Sequence, residues 1–244
     1  MHPVLFELGP LRLYSYGLLI ALGFLAASAL AGKRASEIGL DVSRIQNAAL
    51  AALIAGILGG RAAYVALRWD LFRDNLLEIL RLDHGGLIFF GGLAAGLAGG
   101  IVAIWRSGLP VLRTLDLLTP PLVVGHALGR VGCFLNGCCY GKFTSLPWGV
   151  RFPEEVLKRH PTQLYETTAL IVIFFLLKRL ERSNPRPGNV LVTYGLLYGC
   201  WRFFVEFLRA DNPPFALNLT IFQWIAFFVA ALCALLLFLR RRHD

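Results

Sequence analysis

The chain has 244 residues, of which 57% are hydrophobic and only 16% charged, and its mean hydropathy is +0.62. Such usage excludes an ordinary soluble domain and predicts an integral membrane protein. The formal net charge of +9 is spread over several joints and the tail rather than along one stripe. That argues against a nucleic-acid partner and for cytoplasmic retention and anionic headgroups.

A helix needs roughly 20 consecutive apolar residues to cross the hydrocarbon layer, and about seven such runs occur in chain order. Met1 to Pro10 has no basic n-region, and the first run, Leu13 to Gly32, continues past any small-residue cleavage site, so it is expected to remain as a span. The others are Ile45 to Leu67, Gly85 to Trp105, Leu115 to Gly132, Leu164 to Leu177, Val190 to Phe207 and Leu219 to Leu239; prolines, glycines and charges interrupt or shorten the fourth to sixth. Every second joint is basic: Lys33, Arg34 and Arg44, then Arg106 and Arg113, then Lys178, Arg179, Arg182 and Arg186, then Arg240 to Arg242. The expected fold is therefore an all-α integral membrane protein of about seven transmembrane helices, N-terminus outside and C-terminus cytoplasmic. With no repeat and no low-complexity segment, residues 1–244 read as one bundle. The polar segment near 142–161 is expected to form a small outward cap with a short amphipathic helix around Glu154 to Arg159.

An arginine at membrane depth costs roughly 2.5 to 3.5 kcal/mol on insertion scales, so it needs a partner or a wet cavity. Three predicted spans carry the charges singled out: Arg61, Asp116 with Arg130, and Arg202 with Glu206. A structural ion pair between Arg61 and Asp116 is one reading. Arg130 sits in "GRVGCFLNGCCYGK", where Gly125, Gly129, Gly132, Gly137 and Gly141 let a ligand approach the backbone and Asn136 adds an uncharged hydrogen-bonding group. In "YGCWRFFVEFLR", Arg202, Glu206 and Arg209 fall at i, i+4 and i+7, on one helix face with Tyr198. Two guanidiniums from different spans can grip one phosphate, their planar forks matching its oxygens without risk of losing the charge.

In "DHGGLIFFGGLAAG" two Gly-Gly pairs read either as a helix-packing seam or as an opening for close approach of a headgroup. His84 beside the first pair is a candidate acid or base. "RHPTQLYE" reads mainly as a helix start, with Pro161 in the first turn and Thr162 as a cap, while His160 and Tyr165 are possible substrate contacts. Cys133, Cys138 and Cys139 lack the spacing of a recognisable zinc site; small apolar packing is the first reading, and any disulfide would join Cys133 to one of the other two. Neither metal nor other cofactor is expected.

The motifs "GPLRLYSYGLL", "GGRAAYV", the double-glycine segment, "GHALGRVGCFLNGCCYG", "HPTQLYE" and "YGCWRFFVEFLR" follow one another through most of the chain. In that order they resemble the bacterial prolipoprotein diacylglyceryl transferase family. The resemblance implies a multi-pass enzyme of the bacterial inner membrane, N-terminus periplasmic, that moves the diacylglyceryl group of phosphatidylglycerol to the lipobox cysteine of an incoming prolipoprotein signal peptide, releasing glycerol 1-phosphate. It further implies that Arg130 and Arg202 hold the lipid phosphate, and that Tyr16, Asn136, Gly141, Tyr198, Glu206 and Arg209 fall on or beside substrate-binding motif positions.

Three positions depart from the family pattern. Where the family reads Gly-Arg-x-Gly-Asn-Phe with a glutamate five residues later, this chain has Cys133 and Cys138, and the histidine usually assigned as base is replaced by Phe90. His84, six residues upstream, is the substitute base, with a Cys138 or Cys139 thiolate as the alternative. A sister transferase with another acceptor and a non-catalytic phospholipid-binding protein are the competing functions.

Overall fold

The computed structural model describes residues 1, 3–8, 11–81, 85–153 and 155–241; His84 and Glu154 lie outside the described residues. Among them are seven α-helices: α1 (Ser15–Glu37), α2 (Val42–Leu67), α3 (Phe89–Arg106), α4 (Val111–Asn136), α5 (Thr162–Arg182), α6 (Asn189–Val205) and α7 (Ile221–Arg241). Two short hairpins, β1 (Val4–Leu8) with β2 (Leu11–Tyr14) and β3 (Pro214–Ala216) with β4 (Leu219–Thr220), precede α1 and α7. Six of the helices, all but α5, are long and apolar enough to cross a membrane. The chain is an all-α integral membrane protein. The hairpins were not foreseen: the Gly9-Pro10 turn signal after the five residues of β1 was passed over in the search for apolar runs, and β3 and β4, of three and two residues, are too short to mark strands in sequence.

The chain divides into two compact units, residues Leu30–Thr114 and residues Met1–Ala29 with Leu115–Asp244. In the first, Asp41 caps α2 by accepting from the Arg44 amide at 3.2 Å, and α2 and α3 meet along a seam of small residues. A Cβ on Gly91 would lie 2.8 Å from the Gly59 carbonyl oxygen, and one on Gly92 3.0 Å from that of Gly56. The second Gly-Gly pair is therefore a packing seam and not an opening for a headgroup. The first pair makes a turn: Gly85 and Gly86 both have positive φ, and a side chain on Gly86 would collide with the Tyr64 ring.

Arg61 explains how that turn is held. Its guanidinium donates to the carbonyls of Ile79 (2.9 Å), Gly85 (2.6 Å), Gly86 (3.1 Å), Glu78 (2.5 Å) and Arg81 (2.9 Å), and it lies over the Tyr64 and Phe72 rings. The expected pairing of Arg61 with Asp116 is thus replaced on both sides. A buried guanidinium with five donors is satisfied by carbonyls that point at it from a non-helical segment. Asp116 instead accepts from the amides of Gly188 (2.6 Å) and Leu191 (2.9 Å), where a carboxylate meets the positive end of α6.

In the second unit, α1 packs on α4 through Gly23 and Gly125, each of whose added Cβ would lie within 3.3 Å of the other's carbonyl oxygen. Helix α4 continues through Pro120 and Pro121, both buried; their packing offsets the backbone hydrogen bonds that proline cannot make. Thr162, Gln163, Glu166, Leu170, Ile173 and Leu177 form the buried stripe of α5 at helical spacing. Its lower half joins Val123 of α4 and Val190 of α6 in the apolar core, which leaves Gln163 and Glu166 buried at its upper end.

The cap departs from expectation. The described residues of 155–159 form no helix; Arg159 instead pairs in antiparallel bridges with Phe143 and Val150. Its guanidinium stacks on Phe143 at 4.0 Å and meets Glu155 at 2.8 Å, so cross-segment pairing and cation–π contact outweigh a weak helical pattern. Here the Arg159 hydrogen bond, with a second from Tyr140, holds the Glu155 carboxyl below its ordinary value.

Candidate active site

Helices α4, α5 and α6 each send one charged or polar group to a single buried point. Glu166 of α5, whose side chain is 1% exposed, faces Arg130 of α4 with Nη2 to Oε1 at 2.9 Å. The Tyr198 hydroxyl of α6 donates to the same Oε1 at 2.6 Å. His126, one turn before Arg130, brings Nε2 to 3.9 Å from that oxygen and meets the Tyr194 hydroxyl through Nδ1 at 3.2 Å. The Tyr194 and Tyr198 rings stack at 5.7 Å, and the His126 ring stands edge-on to Tyr198 at 5.0 Å. An intramembrane cation is thus neutralised and oriented by a carboxylate, which is itself fixed by a hydroxyl.

One turn beyond Tyr198, Arg202 pairs with Glu206 at 2.8 Å, the i, i+4 contact expected from sequence. Glu206 is buried and also accepts from Asn212 (2.6 Å) and Thr220 (3.0 Å), so the carboxylate that meets Arg202 is itself fixed. The Nη1 of Arg202 is buried and has no hydrogen-bond partner among the described residues. Both Arg130 and Arg202 act electrostatically on Tyr198 and on His126, so the two guanidiniums share neighbours. Arg209 turns away to Asp211, with Nε to Oδ1 at 3.0 Å, and lies 3.7 Å from Glu206.

The third constellation is the cysteine cluster, read from sequence first as small apolar packing. The thiols of Cys133, Cys138 and Cys139 all lie within 4.8 Å of one another. Cys139 adopts φ of 64°, an unusual conformation for a residue with a side chain. Buried Thr162 and Gln163 hold that turn by donating to the carbonyls of Cys139 (2.8 Å) and Cys138 (2.5 Å). Thr162 therefore does not cap α5; its hydroxyl is turned to Cys139. Hydrogen bonds from Cys133 and Cys138, with Arg209 also at hand, favour the thiolate at Cys139.

The remaining expected residues surround this turn. Asn136 hydrogen-bonds Cys138 through its side chain. Gly141 is buried where a Cβ would lie 2.5 Å from the Leu208 carbonyl oxygen, and it bridges to Arg209, which fastens the loop to the end of α6. Half-exposed Tyr16 is within electrostatic range of all three thiols and of Arg130. His160 and Tyr165 contact each other at 3.2 Å, and Tyr165 also accepts from Trp148 at 2.8 Å.

Sequence reasoning passed over Glu166, His126 and Tyr194. His126 and Arg130 are four residues apart on one helix, a spacing that places them on one face. Glu166 is an acid at the start of a predicted span, the same signal that singled out Arg130, but it lay inside a motif read as a helix start.

Paired charges buried among apolar helices define a polytopic membrane protein with a chemically specialised interior. The family model for prolipoprotein diacylglyceryl transferase matches residues 3–239, and the chain belongs to that family. It is 38% identical to a phosphatidylglycerol–prolipoprotein diacylglyceryl transferase of Clostridium tetani, over 93% of each chain. It is also 38% identical to the protein of that name from Oleidesulfovibrio alaskensis, over 91% of this chain and 85% of the other. With the second such transferase of Clostridium perfringens it shares 32% identity, over 94% of this chain and 91% of the relative.

Proposed function

We propose that this protein transfers the diacylglyceryl group of phosphatidylglycerol to the lipobox cysteine thiol of prolipoproteins, releasing glycerol 1-phosphate, in the bacterial inner membrane with its N-terminus periplasmic. Family membership supports the reaction. The observation that carries the mechanism is the buried Nη1 of Arg202, a charged donor without a hydrogen-bond partner among the described residues, on a guanidinium that acts electrostatically on Tyr198 as Arg130 does.

On this reading Arg130 and Arg202 bind the lipid phosphate. When sulfur attacks the glyceryl carbon, the carbon–oxygen bond breaks and the phosphate passes from one negative charge to two. Two fixed guanidiniums stabilise the second charge more than the first, so they lower the barrier and not merely the binding energy. Glu166 and Glu206 orient the forks and prevent two buried cations from repelling each other when no lipid is present. Tyr198 sets Glu166, half-exposed Tyr16 meets the glycerol and acyl region, and Asn136 and Gly141 shape the loop that faces the reacting carbon. His84 is the base that takes the acceptor thiol proton.

The test is to incubate purified protein with phosphatidylglycerol and a lipobox peptide and follow peptide mass. A gain of one diacylglyceryl group with release of glycerol phosphate is expected. Release of glycerol phosphate without peptide modification would replace this reading with a sister transferase, and neither product would leave lipid binding alone.

A further inference from the structure

Three thiols gathered at one point, with two of them on a strained turn, call for a reason beyond packing. Cys133 comes from the last turn of α4, and Cys138 and Cys139 from the turn that follows. Two independent side chains of α5, Thr162 and Gln163, clamp the carbonyls of that turn, so its thiols are directed by the fold and not left to wander. Soft thiolates select zinc-type ions. A zinc–sulfur bond of about 2.3 Å in tetrahedral geometry separates sulfurs by about 3.8 Å, so closing this cluster around an ion asks for shifts of about 1 Å. Arg209 lies within electrostatic range of Cys139 and Arg130 within that of Cys133, so cationic charge is at hand to balance three thiolates on one divalent ion.

We propose that Cys133, Cys138 and Cys139 hold a zinc-type ion whose fourth coordination position receives the acceptor thiol and presents it as a thiolate. The substrate half of this inference rests on the transferase reading above; the metal half does not. Three protein ligands and one open position are the arrangement of catalytic rather than structural zinc. A thiol that binds such an ion is deprotonated outright, and thiolate is the form that attacks carbon. The acceptor S–H bond breaks as sulfur binds the ion, and its proton passes to the base assigned above. A sulfur lone pair then forms the bond to the glyceryl carbon, while the carbon–oxygen bond breaks with its electron pair staying on the glycerol phosphate. The neutral thioether is a poor ligand and leaves the ion. No oxidant or reductant enters. The placement also suits the geometry of displacement, since Cys133 lies one turn beyond Arg130 on α4.

The experiment is metal analysis of full-length protein purified in detergent under reducing conditions, followed by replacement of the metal with cobalt. The wild type is expected to carry about one zinc per chain and, with cobalt, a thiolate-to-metal charge-transfer band. Adding a lipobox peptide should change that band, whereas its serine analogue should not. Cys133→Ser, Cys138→Ser and Cys139→Ser should each lose the metal, while Cys200→Ser and Cys233→Ser keep both metal and transfer activity. Removing the metal with a chelator should abolish transfer, and zinc should restore it. Full transfer by metal-free wild type with three free thiols, or by protein in which Cys133 is disulfide-bonded, would overturn the proposal and leave the transferase reading standing. A metal-loaded protein that modifies no peptide would overturn the transferase reading and leave the metal site.

Discussion

Replacing Arg130 by alanine removes two things that a further substitution can separate. The first is the partner of Glu166, whose carboxylate is buried and, among the described residues, retains only the Tyr198 hydroxyl as a close donor. Breaking a buried ion pair on one side costs about 3 to 5 kcal/mol, because the remaining charge has lost its compensation. The second is a cation at the leaving phosphate, worth about 10²- to 10³-fold in rate by analogy with a single charge-stabilising donor. Adding Glu166→Gln to Arg130→Ala removes the orphaned charge and keeps an acceptor for Tyr198, so it should recover most of the stability and none of the catalysis. The assay is thermal unfolding in detergent, read beside diacylglyceryl transfer, on wild type, both single variants and the double. We expect strongly non-additive stability, with the double variant more stable than Arg130→Ala, and turnover still reduced at least about 100-fold. If turnover returns in the double variant, Arg130 serves only to neutralise Glu166 and the phosphate role is wrong. If the stability effects simply add, the pair is not what keeps Glu166 charged in the bundle.

Arg202→Lys keeps a charge beside Glu206 but removes the second guanidinium nitrogen, and it should lower turnover by about 10- to 100-fold with little change in unfolding temperature; a wild-type rate would show that Nη1 meets no substrate. Arg61→Gln leaves several of five carbonyls unpartnered and should destabilise by at least about 3 kcal/mol in thermal unfolding, whereas a neutral result would mean the turn at Gly85 is held by other contacts. His84→Ala should cut transfer strongly and flatten its pH profile, and an unchanged profile removes it as the base. The Glu155 carboxyl is held below the ordinary 4.5 chiefly by Arg159, so its stabilisation is present above that value and is lost as pH falls through its lower folded value. Amide exchange at Val150 and Arg159 should quicken relative to the intrinsic rate in acid, and Glu155→Gln should abolish that pH dependence.

The sequence by itself determined the membrane class, the approximate places of the helices and the two arginines worth following, because apolar length and the cost of burying a charge act locally and are visible residue by residue. The i, i+4 contact of Arg202 with Glu206 was legible for the same reason, being set by helix geometry alone. Only the tertiary structure decided which partner each buried charge found. Arg61 went to five carbonyls rather than to Asp116, Asp116 to the start of α6, and Arg130 to Glu166 of another helix. It also brought Cys133 beside Cys138 and Cys139 by bending the chain at a positive-φ residue held by Thr162 and Gln163. A charge or thiol records in sequence that it needs a partner. Which group answers depends on helix rotation and loop path, and those are settled by packing over the whole fold.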